Sequence, residues 1–327
     1  MTEVEKSKEI LFDFSKFEVL LKDICIIDPK IEKTVHKFAG KNPKPNIDCE
    51  FLLIKSTEQE VREEDFIKLL LGAIVRYTLK YIKRHPSSKN STPKEIEDFY
   101  EQNMVDLVRQ AKGLFIENLS KTTSEFGELF LFMLLESKGI VQLLNKMNLK
   151  TNAQMPIHGL DAIHIGVKDN TLTIYYGYSK VYERHGDAVR DAVKEIEIFS
   201  KDPVRKDREF DLVTDYIDRD KFQDLSEKII EIISPYAEDK SFVSEAHSLF
   251  IGYHWSILDK PENPESGKLD DFLIDEYSKK LSSMETNIQD KISDLPQASN
   301  HSFIVWTLPL SNLKNFREKF LERLKKL

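Results

Sequence analysis

Glu128, Asp161, Tyr178 and Lys180 are the residues whose types and spacing could do chemistry. Glu128 falls in the first turns of a helix expected over Ser124 to Ser137, where Ser124 can act as the cap. Asp161 stands near the start of an expected strand, Leu160 to Val167. Tyr178-Ser179-Lys180 closes the next, which begins at Leu172 and is read as regular to Tyr176. Carboxylates are the oxygen donors that Mg2+ takes at an octahedral site. A metal held there activates water and neutralises charge on a phosphate under attack. An ammonium beside that water stabilises the anionic transition state. Strand alternation points Tyr178 and Lys180 the same way. The chemistry such a set would perform is phosphodiester hydrolysis.

A helix acid, a strand Asp and a Lys at the end of the neighbouring strand form the outline of a PD-(D/E)xK nuclease core. A closer resemblance covers roughly residues 120 to 200, in the runs FGELFLFMLLE, LNKMNLKTN, PIHGLDAIHI and YYGYSKVY. These are similar to HamA, the nuclease subunit family of Hachiman anti-phage systems, itself similar to Cap4-type effector nucleases. The resemblance implies cleavage of DNA dependent on Mg2+ (or Mn2+), restrained by a HamB-type superfamily 2 helicase. It assigns Glu128 as the helix acid, Asp161 as the strand acid and metal ligand, and Lys180 as the lysine.

One position departs from that pattern, which has an acid where this chain has Tyr178. A phenol titrates near pH ~10 and is a poor Mg2+ ligand at neutral pH. Three readings stay open. Catalysis has lapsed, leaving a DNA- or helicase-binding scaffold. Alternatively the acid has moved to the following helix, where Asp187, Asp191 and Glu195 recur at every fourth position and Glu195 or Asp191 could reach back to Lys180. Glu183 is a nearer but less well-directed replacement. In the third reading Asp161 and Glu128 hold the metal with waters and backbone oxygen, and Tyr178 shapes the pocket. The bland account of the acidic stripe is a solvated helix face.

His158 and His164 flank Asp161, but no third ligand has zinc-motif spacing. His164 reads as a satisfied structural histidine among apolar neighbours, and His158 as a residue near phosphate. From Phe66 to Lys94 there are seven basic residues and no acid. Arg76, Lys80 and Arg84 would share one face of a helix expected over Asp65 to Arg84, and so could meet DNA or a partner. Lys146 and Lys150 lie in a second acid-free stretch, directly ahead of Asp161. The basic residues of the last helix, Lys314 to Lys326, suit its dipole.

The elements that must position these groups alternate between helix and strand, so the fold class expected is mixed α/β; the resemblance implies a restriction-endonuclease-like core with an N-terminal α/β subdomain. Residues 1–92 would form the subdomain and 93–327 the nuclease domain with a strand–helix extension, the boundary falling in the loop HPSSKNSTP. Phe17 to Ile27 reads as a strand, Pro29 to Phe38 as a short helix and Ile47 to Lys55 as a strand. Further strands are expected at Ala246 to Ile257 and Phe303 to Leu308.

The 327 residues carry 48 Lys and Arg against 56 Asp and Glu, a net charge of −8. That balance excludes coating nucleic acid by bulk charge; any phosphate must be met locally. Two cysteines, Cys25 and Cys49, cannot build a disulfide framework and are expected as small core residues. The first residues, MTEVEKSKEILFDF, lack an apolar run, and no apolar stretch is long enough to span a bilayer. A cytoplasmic protein with no membrane contact is therefore expected.

Overall fold

A computed structural model of the chain describes residues 14–24, 30–81, 92–117, 119, 125–144, 160–168, 171–238, 240–259 and 268–327. The elements in order are α1 (Phe14–Ile24), α2 (Lys30–Thr34), β1 (Val35–Ala39), β2 (Ile47–Ile54), α3 (Glu63–Gly72), α4 (Ile74–Thr78), α5 (Pro93–Glu117) and α6 (Glu125–Ser137). There follow β3 (Val141–Leu144), β4 (Ala162–Lys168), β5 (Thr171–Tyr182), α7 (His185–Lys201), α8 (Pro203–Tyr216), α9 (Arg219–Phe222) and α10 (Ser226–Ile233). The chain closes with β6 (Val243–His254), α11 (Leu269–Ser293), β7 (Ser302–Leu310) and α12 (Leu313–Lys326). The fold is of the mixed α/β class that the sequence predicts.

One seven-stranded sheet runs in the order β1-β2-β7-β6-β5-β4-β3. Its centre, β2 through β5, is parallel, and both margins are antiparallel. β1 and β2 come from the expected N-terminal subdomain, yet β2 pairs with β7, so the sheet passes across the expected boundary at 92/93. One core joins α1, α7, α10 and α11 to Tyr176 and Tyr178 of β5. The other joins α3, α4, α5, α6 and α12 to Tyr175, Phe250 and Trp306. Central strands are thus covered on both faces, the condition under which parallel pairing is found. Among the described residues no helix is long and apolar enough to cross a membrane.

Several elements differ from expectation. The strand expected from Phe17 is not found over the described part of its range: residues 14–24 are helical, with Phe17 and Leu21 buried at helical spacing, and 25–27 lie outside the described residues. The short helix stops at Thr34, and Val35–Ala39 becomes an edge strand because β2 supplies its backbone partners. The long helix over 65–84 breaks at Ala73, and Leu79 is extended. Arg76 and Lys80 therefore do not share a continuous helix face, and Arg84 lies outside the described residues. β3 and α8 have no counterpart among the expected elements. β5 continues six residues past Tyr176, since β6 pairs with it in register to Tyr182↔Tyr253.

α6 is apolar nearly all round and lies between the sheet and the helices above it. Its approach to the sheet depends on glycine. A Cβ on Gly127 would stand 2.5 Å from Ser179 Oγ and 3.2 Å from the Phe250 ring. One on Gly177 of β5 would stand 3.2 Å from Leu131 Cδ2 of α6. Gly127→Val is accordingly expected to cost about 1–3 kcal/mol by overpacking. It should also weaken any activity that needs Glu128, the next residue; urea midpoints and a cleavage assay check both parts.

His164 is fully buried in β4, and neither ring nitrogen has a hydrogen-bond partner among the described residues. It is structural, as expected, but not satisfied. Burial, aided by the charge of Lys221, lowers its pKa to about 3. Burial lowers His185 to about 4. A histidine with a depressed folded pKa contributes stability above its ordinary value near ~6.5, and that stability is lost as pH falls below it. At pH 5 each of the two should cost on the order of 2 kcal/mol. Urea midpoints measured from pH 7 to 5 should fall, and His164→Leu should recover part of the fall, the rest staying with His185 and with His247, which burial also lowers.

Candidate functional site

Strand alternation in β5 puts Tyr176, Tyr178 and Lys180 on the face covered by α7. The Lys180 ammonium lies 2.5 Å from Glu195 Oε2 and 3.7 Å from Asp191 Oδ2, both on α7. Asp191 also accepts a hydrogen bond from the Tyr182 hydroxyl at 2.8 Å. Of the expected replacement acids, Glu195 makes the closest contact with Lys180. Asp187 pairs with Arg190 at 2.8 Å, and Glu183 with His254 at 3.1 Å.

The other oxygen of Glu195, Oε1, lies 3.5 Å from Nη2 of Arg205, in the first turn of α8. That helix starts on an Asp-Pro step, and the Asp202 carboxylate accepts the Arg205 backbone N–H at 3.1 Å.

Asp161 is fixed by β5. Its backbone N–H donates to the Gly177 carbonyl at 3.1 Å, and its carboxylate accepts the Ser179 N–H at 2.7 Å. The residue before it, Leu160, donates its N–H to the buried Glu209 of α8 at 3.2 Å. Glu128, half-buried on α6, accepts from the hydroxyl of buried Tyr77 at 3.2 Å. Burial raises the Tyr77 phenol well above its ordinary value, and the charges of Glu128 and Asp161 push the same way. Both carboxylates therefore act on one hydroxyl. Asp161 thus acts both on Tyr77, the partner of Glu128, and on Lys180, the partner of Glu195.

Burial alone would lower the Lys180 pKa. The carboxylates of Asp161, Glu195 and Asp191 outweigh it and hold the ammonium above the usual lysine value. Tyr178 is fully buried, its hydroxyl 3.4 Å from His247 Nδ1. Burial, with Glu195 next, keeps its phenol well above the ordinary range, so it stays neutral. A neutral phenol cannot replace a carboxylate as a metal ligand.

Among the described residues no three His, Cys, Asp or Glu side chains form a group that could hold a metal ion. Mg2+ commonly takes only one or two protein carboxylates and keeps several waters. Asp161 with Glu128 or Glu195 is an all-oxygen set that fits this chemistry.

Arg76 is half-buried and pairs with Glu136 at 3.3 Å, whereas Lys80 is exposed. In α12, Lys319 and Arg323 reach Glu63 and Glu64 at 2.6 and 2.8 Å. Lys146, Lys150, His158 and Cys25 lie outside the described residues. Cys49 is a core thiol pushed up to about 12 by burial. Trp255 and Trp306 are core residues.

Sequence reasoning missed Tyr77, Arg205 and Glu209. Tyr77 counts as apolar in a periodicity, but a buried Tyr hydroxyl needs a partner, and that was its signal. The Asp-Pro step at Asp202-Pro203 signalled the helix that carries the other two.

A family model described as HamA matches residues 26–324 of the chain. No curated protein matches it.

Proposed function

The chain belongs to the HamA family, which ties it to Hachiman anti-phage defence, and from that premise we propose that it is a Mg2+-dependent DNA endonuclease subunit restrained by a partner helicase. The observation that carries the reading is Lys180, an ammonium set between the charge of Asp161 and the Glu195 carboxylate at 2.5 Å.

Asp161, with Glu195 or Glu128, would hold Mg2+ (or Mn2+). When bound, the ion supplies a water of lowered pKa and neutralises charge on the scissile phosphate. Lys180 hydrogen-bonds the attacking water and stabilises the anionic transition state. The Ser179 N–H fixes the rotamer of Asp161. Tyr77 orients Glu128. Tyr178 closes the floor of the site and excludes water. The net charge of −8 fits an enzyme that meets DNA in a cleft, brought there by a partner. A HamB-type superfamily 2 helicase is the partner, and the cytoplasm is the compartment.

A second reading, a lapsed nuclease serving as a DNA- or helicase-binding scaffold, is favoured by one observation. Glu195 is taken up by Lys180 and Arg205, and Glu128 by Tyr77.

Incubation of supercoiled plasmid with the chain, its helicase partner and Mg2+ or Mn2+ separates the two. Nicked or degraded plasmid supports the enzyme. Intact plasmid in the presence of a DNA trigger leaves the scaffold.

A further inference from the structure

We propose that Arg205 is a phosphate-binding residue of this site, a second cation that acts on the DNA backbone beside Lys180; the proposal rests on the nuclease reading. Lys180 and Arg205 flank one carboxylate, at Glu195 Oε2 and Oε1 respectively. Three carboxylates, Asp161, Glu195 and Asp191, act on Lys180, leaving that set with two net negative charges. A divalent ion brings that set only to neutrality, so a bound phosphate needs direct cationic donors. Lys180 supplies a point charge, and a guanidinium supplies a planar fork that matches two phosphate oxygens.

Arg205 is built for that use. Its guanidinium carbon lies 5.8 Å from the centroid of the Phe199 ring. Its backbone is held by the Asp202 cap. Its side chain is 20% exposed. The contact with Glu195 is a single one at 3.5 Å, too long for a good hydrogen bond. The fork is thus aimed at the site without being saturated by it. Lys206, the next residue, is committed to Glu245 at 3.0 Å and does not compete for the role.

The test compares wild type, Arg205→Gln, Arg205→Lys and Lys194→Gln, each with the helicase partner. Lys194 is exposed on α7 and provides the same loss of charge. Two quantities are read: binding of a fluorescent duplex in Ca2+ at several salt concentrations, and plasmid cleavage over a Mg2+ titration. Loss of one phosphate contact should lower the slope of log affinity against log salt by about one. Arg205→Gln is expected to show that change, to cleave at least tenfold more slowly and to keep the wild-type Mg2+ midpoint. Arg205→Lys should keep the slope and recover only part of the rate, and Lys194→Gln should resemble wild type.

The proposal is overturned if Arg205→Gln keeps the wild-type slope and shifts only the Mg2+ midpoint, the signature of a residue that merely holds Glu195. It is overturned too if Lys194→Gln lowers the slope equally. Should wild type neither bind nor cut, the nuclease reading falls and takes this role with it. If wild type binds or cuts and Arg205→Gln matches it, the Arg205 assignment alone falls.

Discussion

Lys180→Ala is expected to lower plasmid cleavage at least a thousandfold while leaving the fold intact. The ammonium would stand beside the attacking water and offset negative charge as it develops, and removing such a preorganised donor typically costs about 10²–10³ in rate. Here the loss should be larger, because the same substitution leaves Asp191 without its cation and Glu195 with only the longer contact to Arg205. Asp161→Ala should be equally damaging to activity but for two reasons. It removes a metal oxygen, and it leaves the Ser179 N–H without its acceptor at 2.7 Å, a stability cost of about 1–3 kcal/mol. Asp161→Asn keeps an acceptor for that N–H and removes the charge, so loss of cleavage with an unchanged melting temperature assigns the effect to chemistry. Phage protection measured with the same variants discriminates further. If Asp161→Ala cells remain protected, the subunit acts as a scaffold and the enzymatic reading is wrong.

Glu195→Gln is expected to reduce cleavage about a hundredfold or more, and Asp191→Asn less than tenfold. Glutamine keeps the size and one acceptor for Lys180 but removes the charge a divalent cation would use. Asp191 is farther from Lys180, at 3.7 Å, and engaged by Tyr182, so its loss should act mainly through packing. The pair of variants decides where the missing acid went. A large effect at Glu195 alone means that the following helix has taken over the position vacated by Tyr178. If Asp191→Asn is the damaging change, the acid moved there instead. If neither matters while wild type still cuts, Asp161 and Glu128 suffice and Tyr178 only shapes the site. Mg2+ midpoints should rise in the damaging variant, because the defect lies in holding the ion.

Much of this arrangement was legible before any fold was known. Glu128 sits where a helix start was expected; Asp161 directly precedes β4, which begins two residues after the expected strand start, and Lys180 lies on the antiparallel neighbour β5. The pattern of β5 places Tyr178 and Lys180 on one face whatever their partners. Other parts failed for identifiable reasons. Residues 14–24 are rich in apolar side chains that suit a strand or a helix, and the position of the neighbouring layers chose helix. Arg76 looked like part of a continuous basic stripe, but the helix ends at Thr78, and the buried Glu136 claims that guanidinium. Such pairings join residues far apart in the chain, which no local period encodes.

By itself the sequence determined the chemical types at the site, their strand alternation and the four-residue spacing of Asp187, Asp191 and Glu195. It could not choose among those three acids. On a helix they share a face, and each is about 6 Å along the axis from the next. Which one meets Lys180 depends on the height at which α7 crosses β5, and that is set by packing. Ala188, Val189, Ala192, Val193, Ile196 and Phe199 are buried against the sheet and α11, and their fit fixes the crossing. Tertiary structure therefore decided that Glu195 stands nearest Lys180, that Arg205 shares it, and that Tyr178 lies buried beneath.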